Sequence, residues 1–144
     1  MIHKAIPSDA VTIAKLAAKM WTSTTAESLT KEFYDSLVSS DSATYLYIIN
    51  SNPVGFAQCQ LRRDYVEGTS TSPVGYLEGV YVEPDYRKLG YGKALIKACE
   101  DWARERGCTE FASDCELCNT NSYAFHLHSG FTEANRIICF TKRL

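Results

Sequence analysis

Residues 80–92, VYVEPDYRKLGYG, combine the signals of a strand, a turn and a helix in thirteen positions. They continue a run of β-branched and aromatic residues that predicts a strand over residues 74–82. Gly90 and Gly92 then indicate a tight turn, and apolar residues recur at helical spacing until Gly107. Backbone N–H groups in such a turn, together with the N-terminus of the following helix, can bind a pyrophosphate. The stretch therefore predicts a strand, a phosphate-binding turn and a helix in succession.

The segments on both sides of this unit alternate between strand and helix patterns. Periodicity and turn residues predict further strands at residues 2–6, 44–50, 54–62, 109–113 and 136–144, and further helices at residues 10–21, 26–38 and 121–129. This element order predicts an α/β (α+β) fold with a mixed sheet.

Length and composition limit the function classes. The chain has 144 residues, of which 45% are hydrophobic and 22% charged, so we expect one globular domain over residues 1–144. Fifteen Lys and Arg against 17 Asp and Glu give a net charge of -2, which argues against a nucleic-acid partner. Apolar runs such as residues 45–49 are far shorter than the ~18 residues of a membrane span, and no signal pattern opens the chain. We therefore expect a cytoplasmic protein with a small-molecule or protein ligand and no membrane association.

The six cysteines do not form a recognisable metal or disulfide framework. They are scattered through apolar segments, so we expect most of them to be reduced residues of the core. Cys115 and Cys118 form a single CxxC without a second pair or a histidine at ligand spacing. No metal is therefore predicted, and zinc binding or redox chemistry at this pair is the weaker alternative.

Two motifs carry a resemblance to a known superfamily. Residues 87–92 read Arg-x-x-Gly-x-Gly and follow a strand, which resembles motif A of the GNAT N-acetyltransferases. Asn119, followed by a helix that ends in Ser129-Gly130-Phe131, resembles a second GNAT motif at the appropriate distance downstream. The resemblance covers the whole chain. It implies the GNAT acyltransferase fold, in which about four helices flank a mixed central sheet whose strands splay at the acetyl-CoA site.

The same resemblance implies a set of residues for acetyl-CoA as co-substrate. Backbone groups of β-strand residues bond the pantetheine arm, the glycine turn holds the pyrophosphate, and an asparagine contacts the cofactor beyond the splay. The residues at these positions are Val80, Tyr81, Val82, Arg87, Lys88, Leu89, Gly90, Tyr91, Gly92, Lys93 and Asn119.

Residues 64–68, 72–79 and 112–114, together with Trp21, narrow the resemblance to the aminoglycoside 6'-N-acetyltransferases, which are antibiotic-resistance enzymes. This implies a homodimer and a polycationic aminoglycoside as acceptor, for which carboxylates at the site are required. Trp21 would form an apolar wall, and Tyr65, Glu78 and Asp114 would contact the amines and hydroxyls of the acceptor.

Three residues are candidates for proton transfer. Glu78 is the first candidate for the base that deprotonates the ammonium, and Asp114 is the competing candidate. Alternation along the strand predicts that Glu78 shares a face with Val80 and Val82. His126 stands where the superfamily usually has a tyrosine, and its imidazole is a candidate acid for the leaving thiolate. Tyr123 and water are the alternatives.

Two other functions remain open at the level of sequence. A GNAT enzyme could acetylate polyamines or protein amines instead of aminoglycosides. A non-catalytic acetyl-CoA-binding module would carry the same cofactor motifs without a functional proton donor at His126.

Overall fold

The computed structural model describes residues 1–144 and confirms the mixed α/β fold. The strands are β1 (Ile2–Lys4), β2 (Ser42–Ile49), β3 (Asn52–Arg62), β4 (Val74–Val82) and β5 (Phe111–Ala112), and the helices are α1 (Ala10–Ala17), α2 (Ala26–Val38), α3 (Tyr91–Glu105) and α4 (Thr120–His128). The sheet has the strand order β1-β2-β3-β4-β5; its first four strands pair antiparallel, and β5 runs parallel to β4. None of the helices combines the length and apolarity that crossing a membrane requires.

Helices cover both faces of the sheet. On the first face, α1 and α2 bury Ile13 and Phe33 against Phe56 of β3. On the second face, α3 buries Leu95 and Trp102 against the opposite side of the strands. Each of these side chains contributes roughly 1.5–3 kcal/mol by leaving water, so the two cores fix the sheet firmly between its helices.

The bounds of the elements follow local chemistry. Strand β4 and helix α2 have the predicted bounds, and the Thr25 hydroxyl begins α2 by accepting a hydrogen bond from the Ser28 N–H at 3.1 Å. Helix α1 ends four positions before the predicted end, because the chain tightens into a turn in which the Lys19 and Met20 N–H groups bond to carbonyls only three residues back, at 3.2 and 3.0 Å. That turn carries the indole of Trp21 toward the sheet.

The predicted closing strand at residues 136–144 is wrong. This segment pairs with no strand, and the side chains of Ile137, Ile138 and Phe140 are 68%, 82% and 88% exposed. Strand β5, at the edge of the sheet, is only two residues long and pairs only with β4. The segment therefore lacks a strand within its own chain that is long enough to form a ladder with it.

Candidate active site

A β-bulge in β4 sets the direction of the Glu78 side chain. In the β3–β4 pairing, Cys59 lies opposite Leu77 while the preceding Gln58 lies opposite Gly79. Glu78 is therefore an additional residue without a partner on β3. Such a bulge changes the alternation of side chains between the faces of a sheet.

The bulge places Glu78 on the first face of the sheet. Gly79 also faces that side, since a Cβ on Gly79 would lie 2.7 Å from Cζ2 of Trp21. Val80 and Val82 pack instead into the core of the second face. The predicted alternation, with Glu78 on the face of Val80 and Val82, is wrong because it assumed an uninterrupted strand.

Glu78 faces a groove beside Trp21. The Trp21 ring stacks on Phe33 with centroids 6.3 Å apart and meets Phe56 edge-on at 6.2 Å, so the indole is part of the first-face core. The rest of the indole forms a wall of the groove, which has a volume of about 210 Å³. This Trp21 groove is lined by Trp21, Glu32, Phe33, Gln58, Gln60 and Glu78.

Two side chains of β3 hold the Glu78 carboxylate. The Gln60 amide donates to Oε1 at 2.6 Å, and Arg62 Nη2 donates to Oε1 at 2.9 Å and to Oε2 at 3.1 Å. Hydrogen bonds between charged groups are the strong ones, so the carboxylate is well oriented. The sequence interpretation missed both partners. Polar residues at alternating positions 58, 60 and 62 of a strand that is otherwise apolar are the signal that marks them.

Arg62 and Tyr76 connect Glu78 to the second carboxylate, Asp114. The Arg62 guanidinium lies 3.5 Å above the centre of the Tyr76 ring, a cation–π contact. The Tyr76 hydroxyl donates to Asp114 Oδ2. Burial, and then the bond to Asp114, raises the pKa of Tyr76 well above its usual range, so the phenol stays a neutral donor. The structure thus joins the two predicted acidic residues in one network.

The edge of β4 becomes free beyond Tyr76. Strand β5 pairs with β4 only at Gly75–Phe111 and Tyr76–Ala112, whereas β4 continues to Val82. The two strands therefore separate, as the superfamily resemblance implied. The backbone of β4 beyond the last pair has no strand on this side, which suits an extended ligand arm that adds to the sheet.

His126 lies at the point where the two strands separate. Its Nε2 is 2.8 Å from the Ser113 hydroxyl, which in turn lies 3.3 Å from the Leu77 carbonyl of β4. Its Nδ1 donates to the Ser122 carbonyl at 2.7 Å. The imidazole therefore joins α4 to β4. The alternative donor, Tyr123, directs its hydroxyl to Glu133 at 3.0 Å.

The turn before α3 has a backbone suited to phosphate. Lys88 and Gly90 have positive φ angles of 61° and 86°, on either side of an exposed Leu89. The first helical hydrogen bond runs from the Ala94 N–H to the Gly90 carbonyl at 3.0 Å, so the amides of residues 91–93 precede it and have no partner within the helix. A backbone in which positive φ angles alternate with negative ones directs successive N–H groups to one side, and both this arrangement and a helix N-terminus favour binding of an anion. The turn fits the predicted pyrophosphate.

Arg87 and Gly92 contribute to this turn through packing. The Arg87 Nε donates to the Val82 carbonyl at 2.7 Å and ties the turn to the end of β4. A Cβ on Gly92 would lie 2.9 Å from Cζ of Phe125, so this glycine allows α4 to approach α3. Only Gly90 of the two glycines supplies a positive φ angle.

Two residues predicted to bind ligands, Asn119 and Tyr65, lie outside the Trp21 groove and the glycine turn. Asn119 is the N-cap of α4, and its side-chain oxygen accepts a hydrogen bond from the Ser122 N–H at 3.1 Å. Tyr65 is 78% exposed in the loop between β3 and β4 and does not line the Trp21 groove. Its neighbour Val66 is the buried residue of that loop and packs with Tyr76.

The cysteines divide into two groups of free thiols. Three are buried in the second-face core, as expected for small apolar residues. The other three are exposed, so the prediction that most are core residues holds for only half of them. The buried ones are Cys59, Cys99 and Cys108, and the exposed ones are Cys115, Cys118 and Cys139.

Comparisons with known proteins identify relatives over nearly the whole chain. The family model described as "Acetyltransferase (GNAT) family" matches residues 10–131. The aminoglycoside N(6')-acetyltransferase type 1 of Stenotrophomonas maltophilia is 39% identical over 140 residues, covering 96% of this chain and 90% of the relative. The enzyme of the same name from Acinetobacter haemolyticus is 37% identical over 130 residues, covering 90% of this chain and 89% of the relative.

Solved structures that match this chain are enzymes of the same kind as these relatives. The apo crystal structure of the aminoglycoside 6'-N-acetyltransferase AAC(6')-IG from Acinetobacter haemolyticus matches with a TM-score of 0.95 and 35% identity, covering 100% of this chain and 99% of that chain. AAC(6')-Iy in complex with the bisubstrate analogue CoA-S-monomethyl-acetylneamine matches with a TM-score of 0.95 and 31% identity, covering 100% and 98%. This chain therefore belongs to the acetyltransferase (GNAT) family, in the group of the aminoglycoside 6'-N-acetyltransferases.

Proposed function

We propose that this chain transfers the acetyl group of acetyl-CoA to the 6'-amino group of aminoglycoside antibiotics and so confers resistance to them. The observation that carries the proposal is the bulged Glu78, held by Gln60 and Arg62 in a groove beside the free edge of β4. The named activity of the relatives and of the matched structures supports the same reaction.

The free edge of β4 and the turn before α3 would hold acetyl-CoA. Backbone groups of Val80, Tyr81 and Val82 would bond the pantetheine arm, residues 87–93 would surround the pyrophosphate, and Asn119 would contact the cofactor beyond the splay. When bound, acetyl-CoA supplies the thioester whose carbon–sulfur bond breaks as the new carbon–nitrogen bond forms. A backbone N–H of β4 directed at the carbonyl oxygen would stabilise the developing charge.

Glu78 would act as the base. It accepts the proton of the acceptor ammonium, directly or through a water, so that the amine nitrogen becomes nucleophilic. Its Oε2 accepts only one hydrogen bond, from Arg62, and therefore retains accepting capacity. Asp114 is exposed and already accepts from Tyr76, which makes it the better candidate for an anchor of acceptor amines.

In its protonated form, His126 would supply the proton for the departing thiolate: the Ser113 hydroxyl gives its proton to the sulfur and takes the Nε2 proton of His126 in return. Ser113 lies between the imidazole and the backbone of β4 at the point of separation. Tyr123 faces away toward Glu133, and this favours the histidine of the two side chains.

The acceptor would lie along Trp21, with its cationic groups near acidic side chains. The indole offers an apolar wall, and Glu78 and Asp114 offer negative charge. Tyr65 projects from the neighbouring loop, where it would close over the sugar rings.

Release of the CoA thiol with two matched drugs tests the proposed reaction. Kanamycin should release CoA from acetyl-CoA, whereas a related drug that bears a 6'-hydroxyl should release none above background. No release with millimolar kanamycin would overturn the proposal. Turnover with spermidine or a peptide, and not with kanamycin, would assign the chain to other amines.

We also propose that residues 1–144 act as one domain in a cytoplasmic homodimer. The apolar side chains of Ile137, Ile138 and Phe140 are largely exposed, and a patch of this kind usually marks an interaction site. Strand β5 lies at the edge of the five-stranded sheet, and its outer side is free of any other strand. A second copy offers both features in a self-complementary form, so it is the occupant that they favour.

A further inference from the structure

Arg62 places a positive charge where the proposed acceptor must bring its own. The guanidinium binds both oxygens of Glu78, and its side chain is 38% exposed while that of Glu78 is 23% exposed. A polycation that approaches this carboxylate meets a cation of the same sign at hydrogen-bond distance. The free protein therefore carries an ion pair that opposes acceptor binding.

The hydrogen bonds at Glu78 fill Oε1, whereas Oε2 accepts only from Arg62 Nη2 at 3.1 Å. Oε1 accepts from Gln60 and from two nitrogens of Arg62, with Arg62 Nε at 3.2 Å and Nη2 at 2.9 Å. An ammonium group that makes a direct ion pair with Oε1 must take the place of at least one Arg62 nitrogen. The two cations thus compete for Oε1, and an ammonium at Oε2 would lie beside the guanidinium that binds the same oxygen.

The surroundings allow Arg62 to leave Glu78 at low cost. More than a third of its side chain is already exposed, so a rotated guanidinium reaches solvent and is not stranded as a buried charge. A guanidinium that releases the carboxylate without turning fully into solvent keeps its stacking on the Tyr76 ring, at 3.5 Å, as a contact that does not depend on Glu78.

On the basis of the proposed function, we infer that the Arg62 guanidinium occupies, in the free protein, the position at Glu78 that an ammonium group of the acceptor takes in the complex. Arg62 is in this sense a specificity-determining residue, because an acceptor must offset the loss of this ion pair with its own ammonium groups. An acceptor ammonium then displaces the guanidinium and lies against the carboxylate that deprotonates it.

Calorimetric binding of kanamycin tests this inference. The protein is saturated with CoA, which lacks the acetyl group and therefore prevents turnover, and Arg62→Gln is compared with wild type. We expect the Kd for kanamycin to fall about threefold to fivefold, because a partly exposed ion pair no longer has to be broken. Arg62→Lys keeps the charge at Glu78 and should stay within about twofold of wild type.

Arg63→Gln is the matched control for net charge. Arg63 follows Arg62, and its guanidinium also forks onto a carboxylate, with Nη1 at 2.8 Å and Nη2 at 3.3 Å from the two oxygens of Asp41. Asp41 does not line the Trp21 groove. Loss of this arginine should change the Kd by less than about 1.5-fold, the effect of one screened surface charge. An equal gain in Arg63→Gln would overturn the inference, since it would show a general effect of charge.

Kinetics separate this inference from the proposed function. If Arg62 only orients Glu78, Arg62→Gln lowers kcat and leaves the Kd for kanamycin unchanged or higher, and the inference is wrong while CoA release by wild type still supports the function. Arg62-dependent binding without any CoA release supports the inference and overturns the function. Absence of kanamycin binding by both proteins overturns both. Thermal denaturation of each variant confirms that the fold is intact.

Discussion

At the scale of single residues, the carboxylate of Glu78 depends on one unpaired position in β4. The bulge turns this side chain away from Val80 and toward Gln60 and Arg62 of the neighbouring strand. A general base needs a fixed geometry, and the two donors supply it for the role proposed for Glu78. A direct substitution of Glu78 therefore tests its proposed role.

Glu78→Gln should lower kcat/KM for kanamycin by about 10²-fold at neutral pH, the lower end of the usual contribution of a general base. The amide has the same shape but cannot accept the ammonium proton. Steady-state release of CoA measures the effect, with Glu105→Gln, on the exposed end of α3, as a control of unchanged activity. Full activity in Glu78→Gln would transfer the role of base to Asp114 or to water.

Gly79 is the residue that allows Trp21 to lie on the sheet. A Cβ at Gly79 would be 2.7 Å from Cζ2 and 2.9 Å from Cη2 of the indole. Gly79→Ala should lower the free energy of unfolding by about 1–2 kcal/mol and raise the KM for kanamycin, because overpacking moves the ring. Urea denaturation and kinetics measure the two effects.

The same substitution in a Trp21→Phe background provides the control for this contact. The smaller ring leaves space for the new methyl group, so the cost of Gly79→Ala should fall by about 1 kcal/mol. An identical cost in both backgrounds would place the strain in the bulged backbone and not in the indole contact.

At the scale of elements, an ion pair links the turn after α1 to the end of β4. The Lys19 ammonium donates to Glu83, which also accepts from the Tyr81 hydroxyl at 3.1 Å. The bond from Lys19, followed by that from Tyr81, holds the pKa of Glu83 below its usual value of 4.5. The pair joins the segment that carries Trp21 to the strand that carries Glu78.

The stabilising effect of this pair should depend on pH in a defined direction. A carboxyl whose pKa is lower in the folded chain stabilises the fold fully above pH 4.5 and loses that effect as the pH falls through the lower value. Glu83→Gln should therefore lower the free energy of unfolding by about 0.5 kcal/mol at pH 7, after allowance for exposure, and by less at pH 3.5. Urea denaturation at both pH values measures this. A cost that does not change with pH would assign the effect of Glu83 to packing.

The parts of the fold that depend on local sequence can be predicted, whereas the parts that depend on how two segments pair cannot. The bounds of β4 and α2 follow from continuous local patterns and from caps such as Thr25, so sequence reasoning finds them. The face of Glu78 depends on a mismatch between two strands, which neither strand shows alone. Residues 136–144 have strand-forming composition, but a ladder also needs a partner edge, and composition does not indicate whether one exists.

The candidate site divides in the same way. Lys88 and Gly90 have the positive φ angles that a phosphate-binding turn requires, and His126, although it departs from the usual tyrosine, lies where the strands separate. Arg62 and Tyr76 carry no motif signal of this kind, because a strand arginine and a strand tyrosine are ordinary residues until the fold brings them between two carboxylates. Residue identity thus marks the cofactor turn better than it marks the acceptor groove.

At the scale of the whole molecule, opposite charges are separated although the net charge is only -2. Arg87, Lys88 and Lys93 surround the turn before α3, while Glu32 and Glu78 line the Trp21 groove. A polyphosphate and a polycation are therefore attracted to different parts of the same surface.

The proposed homodimer gives a prediction at this scale. Light scattering should show a dimer at micromolar concentration, and the double substitution Ile138→Asp and Phe140→Asp should shift it to the monomer, because two charges would enter an apolar contact. Val11→Asp changes another half-exposed apolar residue, on α1, and should leave the dimer intact. A wild-type protein that is monomeric throughout would contradict the proposal.

The position of Trp21 also makes the intrinsic fluorescence of the protein sensitive to the contents of the groove. The chain has two tryptophans; Trp102 is 1% exposed in the second-face core, and Trp21 borders the groove. An acceptor in the groove should shift the emission of Trp21 alone, so intrinsic fluorescence would follow its binding without any label. In Trp21→Phe the remaining emission, from Trp102, should stay constant during the same titration.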